Sequence, residues 1–519
     1  MNKNRTEPLS SLESSIAFYE RNFIKLIRLR FGIVIHHHQT NELYKTILDA
    51  CQIFHCSVDN YLQMLTDYPD DDPLLKHLIA GITVNETYFF RDKHQMQLLQ
   101  ETLLPQLIQS KRVRKDRSLR IWSAGCATGE EIYTVGMMLV ELLPDISAWR
   151  LQLLGTDLNT GSLQKAMQAH YTEWSMRSIS SYFKQQYFTH ENNKYTLLEK
   201  IRDVVGFSYL NMNDDTYPSL VNGTNAQDLI LCRNVLIYFD NARAGRLMKK
   251  LNNSLVPGGL LLLGASDPIL TVDTDLISHH RFGTLFSRPT LDGTPALPVL
   301  AATEKIIKKS VLVSVTEPRA SASVSLAETL PHGRGSVTPT EMTGVKKSVV
   351  LPDAKKIQQL LNESRWQEAL DAIHLVETKG KIDSVLLNLK AMAYANLGQL
   401  EQSLQACLDS LSLDITNKYT YFTYALTLTE LNRLIEAEEA FRKTLFLDRN
   451  FVMGHFQLGL LLLRKREYDM GMKSLTNALA IAKGQQPSEP VSGYQGLNYG
   501  QLSDLFKQEI ELYTYSKGE

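Results

Sequence analysis

The stretch LRIWSAGCATGEE, residues 119–131, constrains the fold of this chain more than any other. Its alternating apolar residues predict a β-strand, and the pattern IYTVGMMLVELL directly behind it predicts a helix. Between them, Gly125 and Gly129 allow the backbone to bend tightly and to approach a ligand, while the start of the helix offers free N–H donors. Taken alone, this turn fits a small-molecule site and a plain strand-to-helix connection equally well.

The spacing of the glycines separates this turn from two common nucleotide-binding loops. GCATG fits neither GxGxxG nor GxxxxGK[ST], and no lysine follows to hold a phosphate. Instead two carboxylates follow, Glu130 and Glu131. Acidic groups at a helix start suit ribose hydroxyls or a cationic ligand better than a pyrophosphate, although capping of the helix dipole would also explain them.

A second strand and several later ones extend the pattern into an α/β domain. RLQLLGTDLN predicts a strand ending in Asp157, with Asn159 capping the next helix. A carboxylate at the end of the second strand is where nucleoside-binding α/β folds hold the ribose hydroxyls. DLILCRNVLIYFD and LLLLGAS predict further buried strands, so residues 81–288 are expected to form a doubly wound sheet with its ligand at the strand ends. Short β-like pieces at 183–207 predict a small inserted subdomain.

The N-terminal region and the composition narrow the possible partners. Helical patterns over residues 15–80 predict a helical N-terminal domain. With 55 basic and 56 acidic residues, nothing in the charge indicates nucleic acid or an anionic membrane as partner. The chain has no signal-like start and no apolar run near the roughly 18 residues of a membrane span, which predicts a cytoplasmic protein. Cys51, His55 and Cys56 lack a second ligand pair at a zinc spacing, so no metal is expected.

Beyond the sheet, the sequence predicts a linker and a helical repeat array. No aromatic residue lies between Phe286 and Trp366, and seven of the 17 prolines fall in residues 289–352, which predicts a flexible linker there. A 34-residue register follows at Ser364, Gly398, Asn432 and Arg466, each two residues before an apolar side chain. This is the tetratricopeptide period, although the proline usual at the repeat end is absent. The array is expected over 353–484, with a C-terminal tail over 485–519.

Four segments in this order, NETYFFRD, SAGCATGEEIYT, GTDLN and LCRNVLIYFD, resemble the CheR-type chemotaxis receptor methyltransferases over about residues 18–286. The architecture is similar to the branch of that family that carries C-terminal tetratricopeptide repeats. The resemblance implies transfer of a methyl group from S-adenosylmethionine to glutamate side chains on chemoreceptor cytoplasmic helices. One departure is the N-terminal stretch NELYKTILDACQIFHCS, which has one lysine and no arginine where related enzymes usually have an arginine-rich helix.

The resemblance also implies site residues, motif by motif. Arg91 and Tyr238 are expected to orient the substrate carboxylate, with an ion pair of Arg91 to Asp92 and simple aromatic packing of Tyr238 as the alternatives. Cys126 and Cys232 are expected to be packed thiols. The residues implied to contact the cofactor are Asn85, Thr87, Arg91, Glu130, Asp157, Asn211, Met212, Arg233 and Asn234.

The expected chemistry needs little beyond positioning. A glutamate side chain with a reference pKa near ~4.3 is already ionised at neutral pH, so no general base is required. Holding the reacting atoms in line can contribute roughly 7 to 11 kcal/mol. Two other functions fit the same sequence: a repeat scaffold with a cofactor-sensing, catalytically weak methyltransferase domain, and a small-molecule methyltransferase. In each case the repeats are expected to bind a protein partner that the sequence does not identify.

Overall fold

The computed structural model describes residues 9–67, 72–83, 86–268, 274–279, 284–290, 352–380, 382–491 and 497–515. Asn85 and nearly all of the predicted linker lie outside the described residues. Within the described part, no helix is long and apolar enough to cross a membrane. The same part contains no group of three His, Cys, Asp or Glu side chains that could hold a metal ion.

Four helices form the N-terminal part, each with one apolar face. Its core contains residues from every helix, among them Phe23, Ile47, Tyr61 and Leu78. The last helix begins sharply because Asp72 accepts a hydrogen bond from Leu74 N (2.9 Å) and a proline occupies the first turn. The helices are α1 (Leu9–Phe31), α2 (Thr40–Ile53), α3 (Val58–Asp67) and α4 (Pro73–Ile82).

Two sheets follow in the central part of the chain. Their strands are β1 (Ser118–Ala124), β2 (Arg150–Asp157), β3 (His170–Tyr171), β4 (Phe188–Glu191), β5 (Lys194–Leu197), β6 (Val205–Tyr209), β7 (Gln227–Cys232), β8 (Leu255–Leu263), β9 (Ile277–Ser278) and β10 (Leu285–Ser287). The large sheet has the order β6-β2-β1-β7-β8-β10-β9, and its first five strands are parallel. The chain reverses its direction of winding between β1 and β7, so the doubly wound fold is confirmed.

Helices cover both faces of the large sheet. They are α5 (Lys93–Leu98), α6 (Leu104–Val113), α7 (Glu130–Leu142), α8 (Thr160–Gln168), α10 (Glu199–Arg202) and α11 (Asn241–Ser254). Helix α9 (Ser181–Tyr187) packs on β4 of the small sheet. A π-helical segment, Leu99–Leu103, joins α5 to α6. The core between sheet and helices is apolar, with Leu119, Ile121, Ile132 and Leu229 fully buried.

The small inserted sheet differs from its predicted bounds of 183–207. It has the order β3-β5-β4, so it already begins with β3, and it ends with β5. The last residues of the predicted insertion belong to the large sheet, because β6 pairs with β2 from Leu153↔Val205 to Asp157↔Tyr209. The hairpin between β4 and β5 turns at Asn192 and Asn193, both with positive φ, as two-residue hairpin turns require.

The C-terminal part is an array of helix pairs. Its helices are α12 (Ala354–Asn362), α13 (Trp366–Glu377), α14 (Ser384–Asn396), α15 (Leu400–Leu413), α16 (Lys418–Glu430), α17 (Leu434–Leu447), α18 (Val452–Arg464), α19 (Tyr468–Lys483) and α20 (Tyr499–Tyr515). The four residues of the 34-residue register each lie between the two helices of a pair and each have φ between 55° and 74°. A left-handed residue ends the first helix and lets the second turn back on it, which explains the period.

The prediction of a C-terminal tail is wrong for α20. Leu502, Phe506 and Leu512 follow a helical spacing and are buried, since the helix packs on α19, on α8 and on β6. Glu509 of α20 is 2% exposed and accepts hydrogen bonds from Ser208 Oγ (2.6 Å) and Tyr209 N (3.4 Å). The last helix therefore connects the repeat array to the edge of the large sheet.

Burial raises the pKa of Glu509 from its ordinary value of 4.5 to about 7. Between these two values the folded chain binds more protons than the unfolded chain, so its free energy of unfolding is expected to fall as pH rises, by up to roughly 3 kcal/mol. Glu509→Gln keeps the accepting oxygen and removes the charge. We expect this variant to melt at a higher temperature than the native chain at pH 8 and at nearly the same temperature at pH 5, as measured by calorimetry.

The matched control for this prediction lies on the same helix. Glu511 pairs with Lys76 and is partly exposed, so Glu511→Gln removes a charge without relieving burial. It is expected to leave the pH dependence of melting unchanged. A Glu509→Gln variant with the same pH dependence as the native chain would contradict the prediction.

Candidate active site

A cavity of about 290 Å³ opens at the carboxyl ends of β1 and β7, where the direction of winding reverses. Most of its lining residues come from three segments. These are residues 86–91 except Phe89, residues 125–127 of the glycine turn, and residues 233–238 after β7 except Val235 and Leu236. Met96 of α5, Glu131 and Thr134 of α7, and Ser266 after β8 complete the wall. Ligands of doubly wound sheets bind at this position, so the cavity is the candidate active site.

The glycine turn brings its backbone to the cavity wall. Gly125 has φ +74°, and a Cβ at this position would lie 2.5 Å from Val235 Cγ2. Gly129 has φ +88°, and a Cβ there would lie 2.9 Å from Ala166 Cβ. Both positions therefore require glycine. The turn delivers the N-terminus of α7, with its unpaired N–H groups, to the edge of the cavity.

Asp157 ties the turn to the second strand. Its Oδ2 accepts a hydrogen bond from Ala127 N (2.9 Å), and its Oδ1 accepts one from Asn159 N (2.8 Å). The side chain is half-buried, and burial raises the pKa of this carboxyl. Asp157 itself is not among the residues that line the cavity; it is connected to the lining through its hydrogen bond from Ala127. The carboxylate oxygens can still accept a hydrogen bond from a hydroxyl donor.

The two glutamates after the turn take different positions. Glu130 is 2% exposed and accepts hydrogen bonds from Thr128 Oγ1 (2.7 Å) and Ser175 Oγ (3.0 Å), away from the cavity. Desolvation raises the pKa of Glu130. Glu131 lines the cavity instead, where it accepts from Ser123 Oγ (2.7 Å). Among the two glutamates, Glu131 is the one that lines the cavity, and the cofactor contact predicted for Glu130 stays a prediction.

Arg233 lines the cavity but is committed to neighbouring protein groups. Its side chain is 2% exposed and donates through Nε to Gln95 Oε1 (2.7 Å) and through Nη1 to Glu131 Oε2 (2.8 Å). Nη2 donates to the carbonyl of Arg91 (2.7 Å). Arg233, predicted as a cofactor contact, thus positions Glu131 and the backbone of Arg91.

A carboxylate that sequence analysis missed supports the turn after β7. Asp267, buried just beyond β8, accepts hydrogen bonds from Asn234 N (2.6 Å), Gly264 N (2.8 Å) and Ile237 N (3.3 Å). It holds Asn234, whose φ is +59°, at the cavity wall. The signal for it was an acidic residue directly after the strand LLLLGAS, the same signal that identified Asp157. Gln95 offered no comparable signal.

Arg91 and Tyr238 both line the cavity, and their role toward a substrate carboxylate stays a prediction. Arg91 Nη1 donates to the carbonyl of Glu86, and the guanidinium lies 6.0 Å from the ring of Tyr88. Burial raises the pKa of Tyr238, while the nearby charge of Arg91 opposes this rise. The phenol is therefore protonated at neutral pH and can donate a hydrogen bond.

The alternative reading of Arg91 as the ion-pair partner of Asp92 does not match the geometry. Asp92 caps α5 by accepting from Gln95 N (3.5 Å), and its other carboxylate oxygen lies 4.0 Å from Arg233 Nη2. The segment that carries Tyr238 is held by the N-terminal part, since the carbonyl of Tyr238 accepts a hydrogen bond from Val34 N (2.8 Å).

The remaining predicted contacts are only partly at the cavity. Thr87 lines it, whereas Asn85 lies outside the described residues. Asn211 is buried and donates to the carbonyl of Arg30 (3.0 Å), and Met212 packs in the core beside Trp122. Both follow β6, whose end pairs with Asp157, so their contact with the adenine side stays a prediction.

The two cysteines near the site have the expected character. Burial raises the pKa of the Cys126 thiol and of the Cys232 thiol well above the ordinary value. Both are neutral at physiological pH and act as packed apolar groups.

Comparison with known proteins agrees with this geometry. The family described as "CheR methyltransferase, SAM binding domain" matches residues 85–281, and "Tetratricopeptide repeat" matches residues 385–414. Chemotaxis protein methyltransferase 2 of Vibrio cholerae is 34% identical over 217 residues, which are 41% of this chain and 73% of that protein. The chemotaxis protein methyltransferase of Listeria monocytogenes is 32% identical over 213 residues, 41% of this chain and 76% of that protein.

A third relative extends the comparison to another genus. Chemotaxis protein methyltransferase 1 of Pseudomonas aeruginosa is 34% identical over 214 residues, which are 40% of this chain and 73% of that protein. The glycine turn, Asp157 and the absence of a lysine among the described cavity residues fit a nucleoside cofactor without phosphates. This chain belongs to the CheR family of chemotaxis methyltransferases and is an S-adenosylmethionine-dependent methyltransferase.

Proposed function

We propose that this protein transfers a methyl group from S-adenosylmethionine to glutamate side chains on the cytoplasmic helices of chemoreceptors. The observation that carries the proposal is the meeting of Arg91 and Tyr238 at one cavity beside the glycine turn. A guanidinium and a protonated phenol are suited to hold a carboxylate. The names of the relatives, chemotaxis protein methyltransferases, support the receptor as the source of that carboxylate.

The chain offers distinct groups for the two reactants. Asp157 would accept hydrogen bonds from the ribose hydroxyls, and the backbone of residues 125–127 would lie along the nucleoside. Glu131 and Asn234 would hold the amino-acid end of the cofactor. When bound, S-adenosylmethionine supplies a methyl group on a positively charged sulfur, which is electrophilic without further activation.

The side chains at the cavity orient the acceptor and do not need to deprotonate it. A glutamate with a reference pKa near ~4.3 arrives as the nucleophilic carboxylate. Arg91 would fix one carboxylate oxygen by a charge-assisted hydrogen bond, and Tyr238 would donate to the same group. Phe90 and Ile237, also in the wall, would exclude water from the reacting oxygen.

A protein substrate fits the surroundings of the cavity. Tetratricopeptide repeats are protein-interaction modules, and they follow the catalytic part in the same chain. Next to Tyr88, which lines the cavity, the guanidinium of Arg177 lies 3.5 Å from the ring of this tyrosine and 4.0 Å from the ring of Trp174, which is 64% exposed. Because the proposed substrate helices are cytoplasmic, the enzyme would act in the cytoplasm.

The experiment that tests the proposal is transfer of radiolabelled methyl groups to purified chemoreceptor cytoplasmic domains. Methyl esters of glutamate release methanol in mild base, so base-labile radioactive methanol from the receptor band is the expected result. A receptor domain with glutamine at the methylated positions serves as the control. Label found only on small molecules would overturn the receptor assignment, and absence of turnover with any acceptor would favour the scaffold function.

A further inference from the structure

One face of the repeat array, formed by the first helices of three successive pairs, α14, α16 and α18, is not empty. The loop at residues 219–226, between β6 and β7, lies against it. Leu220 is buried in a cluster with residues of four array helices, among them Ala395, Leu426 and Leu458. Val221 packs at the border of this cluster and the neighbouring one. Of two consecutive apolar side chains of the methyltransferase part, Leu220 is thus buried and Val221 partly buried against the repeats.

Polar groups of the array bind the backbone of the same loop. Asn396 Oδ1 accepts a hydrogen bond from Leu220 N (3.0 Å), and Gln457 Nε2 donates to the carbonyl of Val221 (3.0 Å). In the opposite direction, Asn225 Nδ2 donates to the carbonyl of Ala395 (3.1 Å). Side-chain pockets combined with hydrogen bonds to the main chain are how proteins recognise short peptide segments.

An ion pair and a close backbone approach add to the contact between the loop and the array. Arg120 forms an ion pair with Glu430, and both side chains are largely buried. The same guanidinium donates to the carbonyls of Asn225 (3.2 Å) and Gly223 (3.1 Å), so it holds the loop against the array. A Cβ at Gly398, on the turn between α14 and α15, would lie 3.0 Å from Ala226 Cβ, which leaves little room for a larger residue.

We propose that the face formed by α14, α16 and α18 takes the chain's own loop 219–226 as its ligand, so that its partner in this protein is the methyltransferase domain. An external protein can occupy the same face only by displacing the loop. A cavity of about 1690 Å³ between the repeats and the domain indicates two docked surfaces and not a continuous core.

The occupied loop is connected to the cofactor side of the domain. Tyr217 OH donates to the carbonyl of Met212 (3.0 Å), and Asn222 Nδ2 donates to the carbonyl of Thr216 (2.9 Å). These bonds link the array contact back to the end of β6. Displacement of the loop is therefore expected to weaken cofactor binding more than it slows methyl transfer. This expectation rests on the predicted contact of Asn211 and Met212 with the cofactor.

The test uses the full-length chain and hydrogen–deuterium exchange. The double variant Asn396→Ala/Gln457→Ala removes two groups that bind the loop and leaves the methyltransferase part unchanged. We expect amide exchange in 219–226 to rise at least about tenfold, as loss of two hydrogen bonds implies, while the helices of the array stay protected. The expected accompanying change is a severalfold higher KM for S-adenosylmethionine with little change in kcat.

The matched control is Gln405→Ala, which removes an exposed amide whose partner, Asp409, lies on the same helix. This variant is expected to exchange like the native chain. Leu220→Asp gives an independent test from the loop side: small-angle scattering should report a larger radius of gyration. Unchanged exchange in the double variant together with unchanged scattering of Leu220→Asp would overturn the proposal. Exchange and scattering do not depend on receptor methylation, so they separate this proposal from the proposed function.

Discussion

Replacement of Arg91 by alanine is expected to lower kcat for receptor methylation roughly 100- to 1,000-fold, which is the usual effect of removing one preorganised charge-stabilising donor. The side chain lines the cavity, whereas the backbone carbonyl of Arg91 is what Arg233 binds. The truncation therefore removes the guanidinium and its hydrogen bond to the carbonyl of Glu86, but keeps the carbonyl by which Arg233 holds the segment. Affinity for S-adenosylmethionine, measured by calorimetric titration, should change far less than kcat.

Arg177 provides the matched control for this prediction. It lies on the same ring of Tyr88 and pairs with Glu86 (3.4 Å), yet it does not line the cavity. Arg177→Ala is expected to keep kcat within about threefold, the range usual for surface ion pairs of small energy. If Arg91→Ala and Arg177→Ala lowered kcat equally, the assignment of Arg91 to the substrate carboxylate would be wrong.

Asp157→Ala is expected to weaken S-adenosylmethionine binding about 100-fold or more, because hydrogen bonds to a charged group contribute roughly 1.5 to 3 kcal/mol each. The carboxylate also accepts the N–H of Ala127, so the turn at the cavity loosens as well. Asp157→Asn keeps one accepting oxygen and should lie between the alanine variant and the native chain. Isothermal titration with the cofactor and its demethylated product measures both effects.

A carboxylate near the opposite end of β2 serves as the control for the loss of a negative charge. Asp145 precedes β2 and pairs with Arg112 (2.6 Å), far along the strand from Asp157. Asp145→Ala is expected to leave cofactor affinity unchanged. Undiminished affinity in the Asp157→Ala variant would remove the basis for the ribose assignment, and circular dichroism of both variants would show whether either change affects folding.

Local sequence pattern was enough for the sheet and for the convergence of its strand ends. β1, β2 and β7 are parallel, so their carboxyl ends lie on the same side of the sheet. Recognition of the strands therefore predicted that Gly125, Asp157 and Arg233 lie on that side. The sequence pattern could not show which of Glu130 and Glu131 lines the cavity. Neighbouring helical residues point about 100° apart, and the rotation of α7 is set by burial of Ile132 and Tyr133 against the sheet.

Contacts between distant parts of the chain were also outside the reach of local periodicity. SLVNGTN reads as a polar turn, yet two of its residues are buried by a domain more than 150 residues later. The same holds for α20, since its buried face is defined by α8, β6 and α19 together. Periodicity identifies an amphipathic helix but not the surface that covers it.

The last helix has a consequence for the large sheet that concerns assembly. β6 is an edge strand, and an open edge presents unpaired N–H and C=O groups on which another chain can add a strand. Glu509 accepts the N–H of Tyr209, and α20 lies along this edge. The helix therefore blocks edge-to-edge association of β6 with another chain. The residues after the repeats thus protect the protein against aggregation, in addition to connecting the array to the sheet.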